Sequence, residues 1–182
     1  MKKIILILTL FPFLIAMQCE DNYCYASIKQ KTKPNLITVE NFKAIYNLGD
    51  VIWLNSTLEK NQIFDYPNET IDLFSYPLEF EFGIQFYKSS VYNPQTYLCA
   101  GKNTTEFTNG YLNECNLFVY EKTDDKLKSR IGIKLLETGN FTITIHNIAT
   151  FRNSGLTCED KGLDINTTFS NNNEQSINFT VQ

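Results

Sequence analysis

The sequence predicts an all-β fold: an antiparallel β-sandwich, immunoglobulin-like in architecture, with about seven or eight strands and disulfides. Three observations predict it. Apolar residues recur with a period of two, turn signals punctuate the chain at short intervals, and no segment beyond residue 18 carries the stripe of an amphipathic helix.

Taken in order, the first strands are Leu36 to Glu40 and Val51 to Leu54, the second entered through Gly49-Asp50. The stretch from Asn55 to Pro77 is less regular, with room for an edge strand around Thr70 to Leu73. The clearest strand runs from Leu78 to Tyr87. There Leu78, Phe80, Phe82, Ile84 and Phe86 fall on one face, and Glu79, Glu81, Gly83, Gln85 and Tyr87 on the other. Leu117 to Glu121 is apolar and aromatic, and Thr123-Asp124-Asp125-Lys126 after it reads as a turn. Ile131, Ile133 and Leu135 alternate with Gly132, Lys134 and Leu136; Phe141, Ile143 and Ile145 alternate with Thr142, Thr144 and His146. Between these two runs, Glu137-Thr138-Gly139-Asn140 predicts a hairpin turn. Ile177, Phe179 and Val181 form a C-terminal strand. Asn93-Pro94, Gly101 to Thr105 and Asn153 to Gly162 read as loops. Trp53 lies between Cys24 and Cys99, but at a spacing too loose for an antibody-type Cys-Trp-Cys arrangement.

The chain divides into a signal peptide (1–18), a cysteine and tether (19–34) and one β-sandwich domain (35–182). Lys2 and Lys3 form a positive start, and Ile4 to Met17 is almost wholly apolar, broken by Thr9 and Pro12. A bilayer core takes roughly 20 apolar residues, so this run reads as a secretory signal rather than a span. Cys19 follows at once, then Glu20 and Asp21. Lipidation of Cys19 is one reading. Ala16, Met17 and Gln18 stand where a Leu and two small residues are usual, and cleavage after Ala16 is the other reading.

The start Met-Lys-Lys, the apolar run and Gln18-Cys19-Glu20-Asp21 together resemble the small, uncharacterised lipoproteins of Bacteroidota. Gly49-Asp50-Val51-Ile52-Trp53-Leu54 is similar to a strand in proteins of the same group. The resemblance implies a lipid on Cys19, attachment to the cell envelope, and display at the outer membrane or cell surface directed by the acidic pair. It brings no activity with it.

Five cysteines are present. A lipid on Cys19 leaves four, and four cysteines in an exported protein are most simply two disulfides, with three connectivities open. The expected pairing is Cys99 with Cys115 across a local loop and Cys24 with Cys158 between distant parts. A bridge closing a loop of about fifteen residues stabilises by roughly 3 kcal/mol in the chain-entropy model. No C-x-x-C pair occurs and the one histidine is His146, so no zinc spacing is present. Without Lys2 and Lys3, the 16 basic residues become 14 against 20 acidic ones, a net charge of −6. That balance, with no basic cluster, argues against nucleic acid as a partner.

Catalytic signals are sparse. His146 falls on the polar face of its strand, and no Gly-rich phosphate loop or zinc-protease motif appears, so neither a cofactor nor an enzymatic role is expected. Glu79 and Glu81 share a strand face about 7 Å apart, a spacing at which paired acids hydrolyse glycosides, but a solvated charged sheet face is the preferred reading of the pair. Asp124-Asp125 and Glu159-Asp160 lack calcium-loop spacing. Tyr66, Tyr76, Tyr87, Tyr92 and Tyr97 lie in loops or on polar strand positions, where they either cap the rim of the core or form an exposed cluster for a glycan or protein. Six Asn-x-Ser/Thr sequons begin at Asn55, Asn68, Asn103, Asn140, Asn166 and Asn178. The expectation is a non-enzymatic, lipid-anchored envelope protein with a binding or structural role. A glycan-binding module of a polysaccharide-uptake system and a secreted eukaryotic glycoprotein are the alternatives.

Overall fold

The computed structural model describes residues 27–65, 68–89, 96–151 and 161–182. Its strands are β1 (Ser27–Thr32), β2 (Ile37–Glu40), β3 (Ile45–Tyr46), β4 (Val51–Glu59), β5 (Asn61–Asp65), β6 (Asn68–Asp72), β7 (Glu79–Ser89) and β8 (Thr96–Leu98). They continue as β9 (Thr105–Asn109), β10 (Tyr111–Glu114), β11 (Leu117–Val119), β12 (Glu121–Lys122), β13 (Lys126–Lys134), β14 (Gly139–Phe151), β15 (Lys161–Asn166) and β16 (Ser176–Val181). A single 3-10 turn, Leu73–Ser75, is the one helical element among the described residues.

The chain is a β-sandwich. One sheet has the order β1-β15-β14-β7-β11-β10, with β16 beside β14, β3 beside β16 and β8 beside β7. The other has the order β12-β13-β4-β2, with β9 also on β13. The β5–β6 hairpin stands apart. Pairing is antiparallel except for β1 with β15 and β3 with β16, which are parallel. One apolar core lies between the sheets, with Phe82, Phe118, Phe141, Phe169, Leu54 and Ile131 among its fully buried side chains.

The period-two pattern explains which residues reach this core. In β7, Phe80, Phe82, Ile84 and Phe86 are buried, while Glu81, Gln85 and Tyr87 are partly exposed on the other face. Ile177, Phe179 and Val181 of β16 and Ile131 and Ile133 of β13 also point inward. β14 needs one correction to strict alternation. Ile145 pairs with Ile84 and Ile148 with Phe82, so three residue steps on β14 match two on β7. This bulge at His146 and Asn147 resets the parity and keeps both isoleucines in the core.

Three expectations change. The predicted hairpin at Glu137 to Asn140 is a crossover, because β13 belongs to one sheet and β14 to the other. The predicted tether over 19–34 contains β1, whose Lys31 is 6% exposed and pairs with Glu69 at 2.6 Å. Turn chemistry alone does not say which sheet the next strand joins, and a polar sequence hides an edge strand held by ion pairs. The irregular stretch Asn55 to Pro77 holds its expected edge strand as β6, but also the end of β4 and a second strand, β5, so that a full hairpin is bound to β1 through Lys29–Glu69 and Lys31–Glu69 and to Lys33, just beyond β1, through Asp65. Trp53 is not a core residue. It lies half-buried on the outer face of its sheet, across Gly132, with the Arg130 guanidinium 4.1 Å from its ring centroid. Arg130 also makes a two-pronged contact with Glu40, at 2.9 and 2.7 Å.

Cys99 and Cys115 form a disulfide with Cα atoms 5.4 Å apart. Asn116 clamps the loop it closes. Its backbone is left-handed, with φ 64°, and its side chain is 1% exposed with Oδ1 accepting from Ala100 N at 2.6 Å. Its Nδ2 donates to Leu98 O and to the Tyr97 hydroxyl, each at 2.8 Å. Cys19, Cys24 and Cys158 lie outside the described residues.

Candidate functional site

An open cleft of about 650 Å³ lies at the end of the sandwich where β7 begins. Its floor is core: Leu127, Phe80 and the buried Tyr120. Ser56 Oγ donates to Leu36 O, so the Tyr120 hydroxyl, 2.7 Å from Ser56 Oγ, donates to it. Burial pushes the Tyr120 phenol well above its ordinary range, and it stays a neutral donor.

The walls come from two tight turns. On one side Asp72 caps the 3-10 turn, its Oδ1 accepting from Phe74 N at 2.8 Å, while Ser75 Oγ donates to Asp72 O. This turn delivers Phe74 and Tyr76 to the rim. Tyr76 stands edge-on to Phe80, with ring centroids 5.9 Å apart. On the other side Gly110, at φ 83°, joins β9 to β10; a Cβ there would lie 2.2 Å from Val119 O, so only glycine fits. The turn sets Tyr111 at the rim, 44% exposed.

The rim carries charge as well as rings. The Tyr111 hydroxyl donates to Glu79 Oε2 at 2.7 Å, and this bond to a carboxylate pushes the phenol up to about 12. Lys122 Nζ lies 4.2 Å from the Phe74 ring centroid and Lys60 Nζ 5.6 Å from it. Glu121 adds a second acid. The cleft therefore offers aromatic faces, two carboxylates and an ammonium on a hydrophobic floor, a set suited to holding a ligand with both apolar and hydroxylated surfaces.

The structure separates several residues that the sequence grouped. Glu79 is at the cleft rim, whereas Glu81 lies outside the lining, partly buried, with Asn113 Nδ2 donating to it at 3.4 Å. Burial, reinforced by Glu114, raises the Glu81 carboxyl above its ordinary value. The two acids do not face one another across a cleft. Of the five tyrosines, Tyr76 is at the cleft, Tyr87 and Tyr97 form an edge-to-face pair on the outer face at 67°, and Tyr66 and Tyr92 lie outside the described residues. Tyr111, Phe74 and Lys122 carry the rim without having been singled out by sequence; Asn109-Gly110 before Tyr111 was the available turn signal. His146 is exposed at the β14 bulge. Among the described residues, no three His, Cys, Asp or Glu side chains converge as a metal site, and no helix is long and apolar enough to cross a membrane.

No protein-family model matches the chain, and no curated protein matches it. Among solved structures it is similar to the Reelin-N domain of F-spondin, at 8% identity and TM-score 0.36, over 86% of this chain and 92% of that one. The human F-spondin reeler domain gives 11% identity and TM-score 0.35, over 86% and 94%. A PapD-like domain of human CEP192 gives 8% identity and TM-score 0.23, over 80% and 84%.

Proposed function

We propose that this protein is an exported, non-enzymatic binding module and that the aromatic cleft at the β7 end of the sandwich is its ligand site. The observation that carries the reading is the rim itself: Phe74, Tyr76 and Tyr111 are held by capped or glycine-fixed turns around a preformed hollow, with Glu79, Glu121 and Lys122 beside them. Preorganised rings with flanking carboxylates stack on sugar faces and accept from hydroxyl groups, so a glycan is the ligand class we favour. The Cys99–Cys115 disulfide supports an oxidising compartment.

A lipid on Cys19 is the tether in this proposal. Seven residues lie between it and Ser27, so eight residue steps give a reach of at most about 29 Å. Ser27 pairs with Lys161, and β15 runs antiparallel to β14, so the chain enters the sandwich at the end that holds the cleft. The anchor would then keep the cleft close to the membrane. A second reading, a secreted glycoprotein without lipid, is favoured by one observation. Asn68, Asn103, Asn140, Asn166 and Asn178 are all exposed, and Asn55 alone of the six is partly buried.

A glycan array probed with the mature protein and with Tyr111→Ala tests the cleft. Binding by the wild type that the variant loses, with unchanged folding by circular dichroism, supports it; equal binding by both removes the cleft from the reading. Intact mass of the purified protein tests the attachment, since acyl chains and N-glycans add distinct masses.

A further inference from the structure

In an extended strand the Asn and Thr of an N-x-T sequon share one face and the middle residue takes the other. Two sequons of this chain, Asn140-Phe141-Thr142 on β14 and Asn178-Phe179-Thr180 on β16, are paired antiparallel with each other. Asn140 faces Thr180, Phe141 faces Phe179 and Thr142 faces Asn178. The phenylalanines are buried and stacked, with centroids 5.7 Å apart at 15°. On the outer face the polar groups interlock: Thr142 Oγ1 donates to Asn178 Oδ1 at 2.7 Å, and Thr180 Oγ1 donates to Asn140 Oδ1 at 2.9 Å. Each Oδ1 is thus engaged by the sheet, while both asparagines are exposed and line a shallow hollow of about 340 Å³ that also touches Ser89 and Ala44.

Asn55 differs. It lies between Thr38 and Arg130 in the middle of the other sheet, and its amide donates to Glu40 beside the Arg130 contact. A sugar on that nitrogen would have to displace an ion pair and a stacked tryptophan.

We propose that Asn140 and Asn178 both carry N-linked glycans that share the β14–β16 hollow, and that Asn55 stays bare. This inference rests on the secreted-glycoprotein reading. The co-reactant is a lipid-linked oligosaccharide diphosphate used by a membrane transferase. Nδ2 bonds to the anomeric carbon and loses one proton, while the anomeric C–O bond breaks and its electron pair leaves with the lipid diphosphate. The folded sheet accepts both products without breaking a hydrogen bond, because the oxygens are the atoms engaged. The pair also leaves the cleft open. Asn140 pairs with Ser89 at the far end of β7 from Glu79, roughly 33 Å away by strand rise.

The test is glycopeptide mapping of the full chain secreted from a eukaryotic cell, released with peptide N-glycosidase in heavy-oxygen water so that each formerly glycosylated Asn becomes a labelled Asp. The expected result is label at both Asn140 and Asn178 and none at Asn55. Thr142→Ala should remove the Asn140 label alone, Thr180→Ala the Asn178 label alone, and Thr142→Ser should restore the first. Label on only one of the pair, or on Asn55, overturns the inference. Label at Asn68, Asn103 or Asn166 with both partners bare overturns it while sparing the glycoprotein reading, and no label anywhere overturns both.

Discussion

Replacing Asn116 by alanine removes the clamp on the disulfide loop. Three hydrogen bonds end at that side chain, and two of them satisfy backbone groups, Ala100 N and Leu98 O. Asn116 is 1% exposed, so water does not readily replace those partners. An unsatisfied buried group costs about 1–3 kcal/mol, and alanine in a left-handed backbone adds about 1 kcal/mol. Taking about 1.5 kcal/mol for each backbone group gives a loss of about 4 kcal/mol, a large share of the roughly 5–15 kcal/mol that a domain possesses. Urea unfolding followed by circular dichroism measures it, as a fall in midpoint at constant slope. The isosteric Asn116→Asp sharpens the test. Its ionised form points a carboxylate at Leu98 O, whereas its protonated form regains a donor. Burial therefore raises the folded pKa, and the variant's stability is present at low pH and lost as pH rises through that value. A loss below about 1 kcal/mol for Asn116→Ala, or a deficit in Asn116→Asp that does not change with pH, would refute the reasoning.

Three further outcomes are expected. Glu79→Gln should bring the Tyr111 phenol down from about 12 toward 10.0, read by ultraviolet titration against a Tyr111→Phe control; an unchanged titration would mean the rim hydrogen bond is absent in solution. Gly132→Ala places a methyl 2.6 Å from Val51 Cγ1 and 3.0 Å from the Trp53 ring, so it should cost about 1–3 kcal/mol and shift the emission of the single tryptophan, and a silent substitution would contradict the packing. Arg130 holds the Glu40 carboxyl below its ordinary 4.5, so the stability this pair supplies is present above that value and lost as pH falls through the lower folded one. Glu40→Gln should flatten the acid limb of the stability profile, and an identical limb in the variant would count against the pairing.

How much was legible in advance varies along the chain. β7 and β16 were readable because each buries one face, and a half-buried strand writes that burial as alternation. The Cys99–Cys115 bridge matches the local pairing expected, but the spacings by themselves left three connectivities open. β1 was not, because its burial is almost confined to Lys31 and its partner strand lies more than a hundred residues away. Of the β5–β6 hairpin, β6 answers to the edge strand expected around Thr70 to Leu73, whereas β5 was missed for a related reason: Gln62 and Phe64 point inward within a run that otherwise reads as polar. The rim of the cleft was half visible. Tyr76 stood out as an aromatic in a loop, but Tyr111 and Lys122 acquire a role only when the Gly110 turn and the capped turn at Asp72 meet at one end of the sandwich.

The sequence by itself determined that a basic start leads into an apolar run, that the period beyond it is two, which face of each long strand is apolar, and that Asn and Thr of each strand sequon share a side. These are local matters of charge, spacing and pleat. Tertiary structure decided which sheet each strand joins, where β14 shifts parity, that β13 and β14 part company after an apparent hairpin signal, and that two sequons 38 residues apart lie face to face. Strand pairing is a contest among distant segments with similar patterns. It is settled by how well whole faces pack against one another, and no short stretch of sequence contains that information.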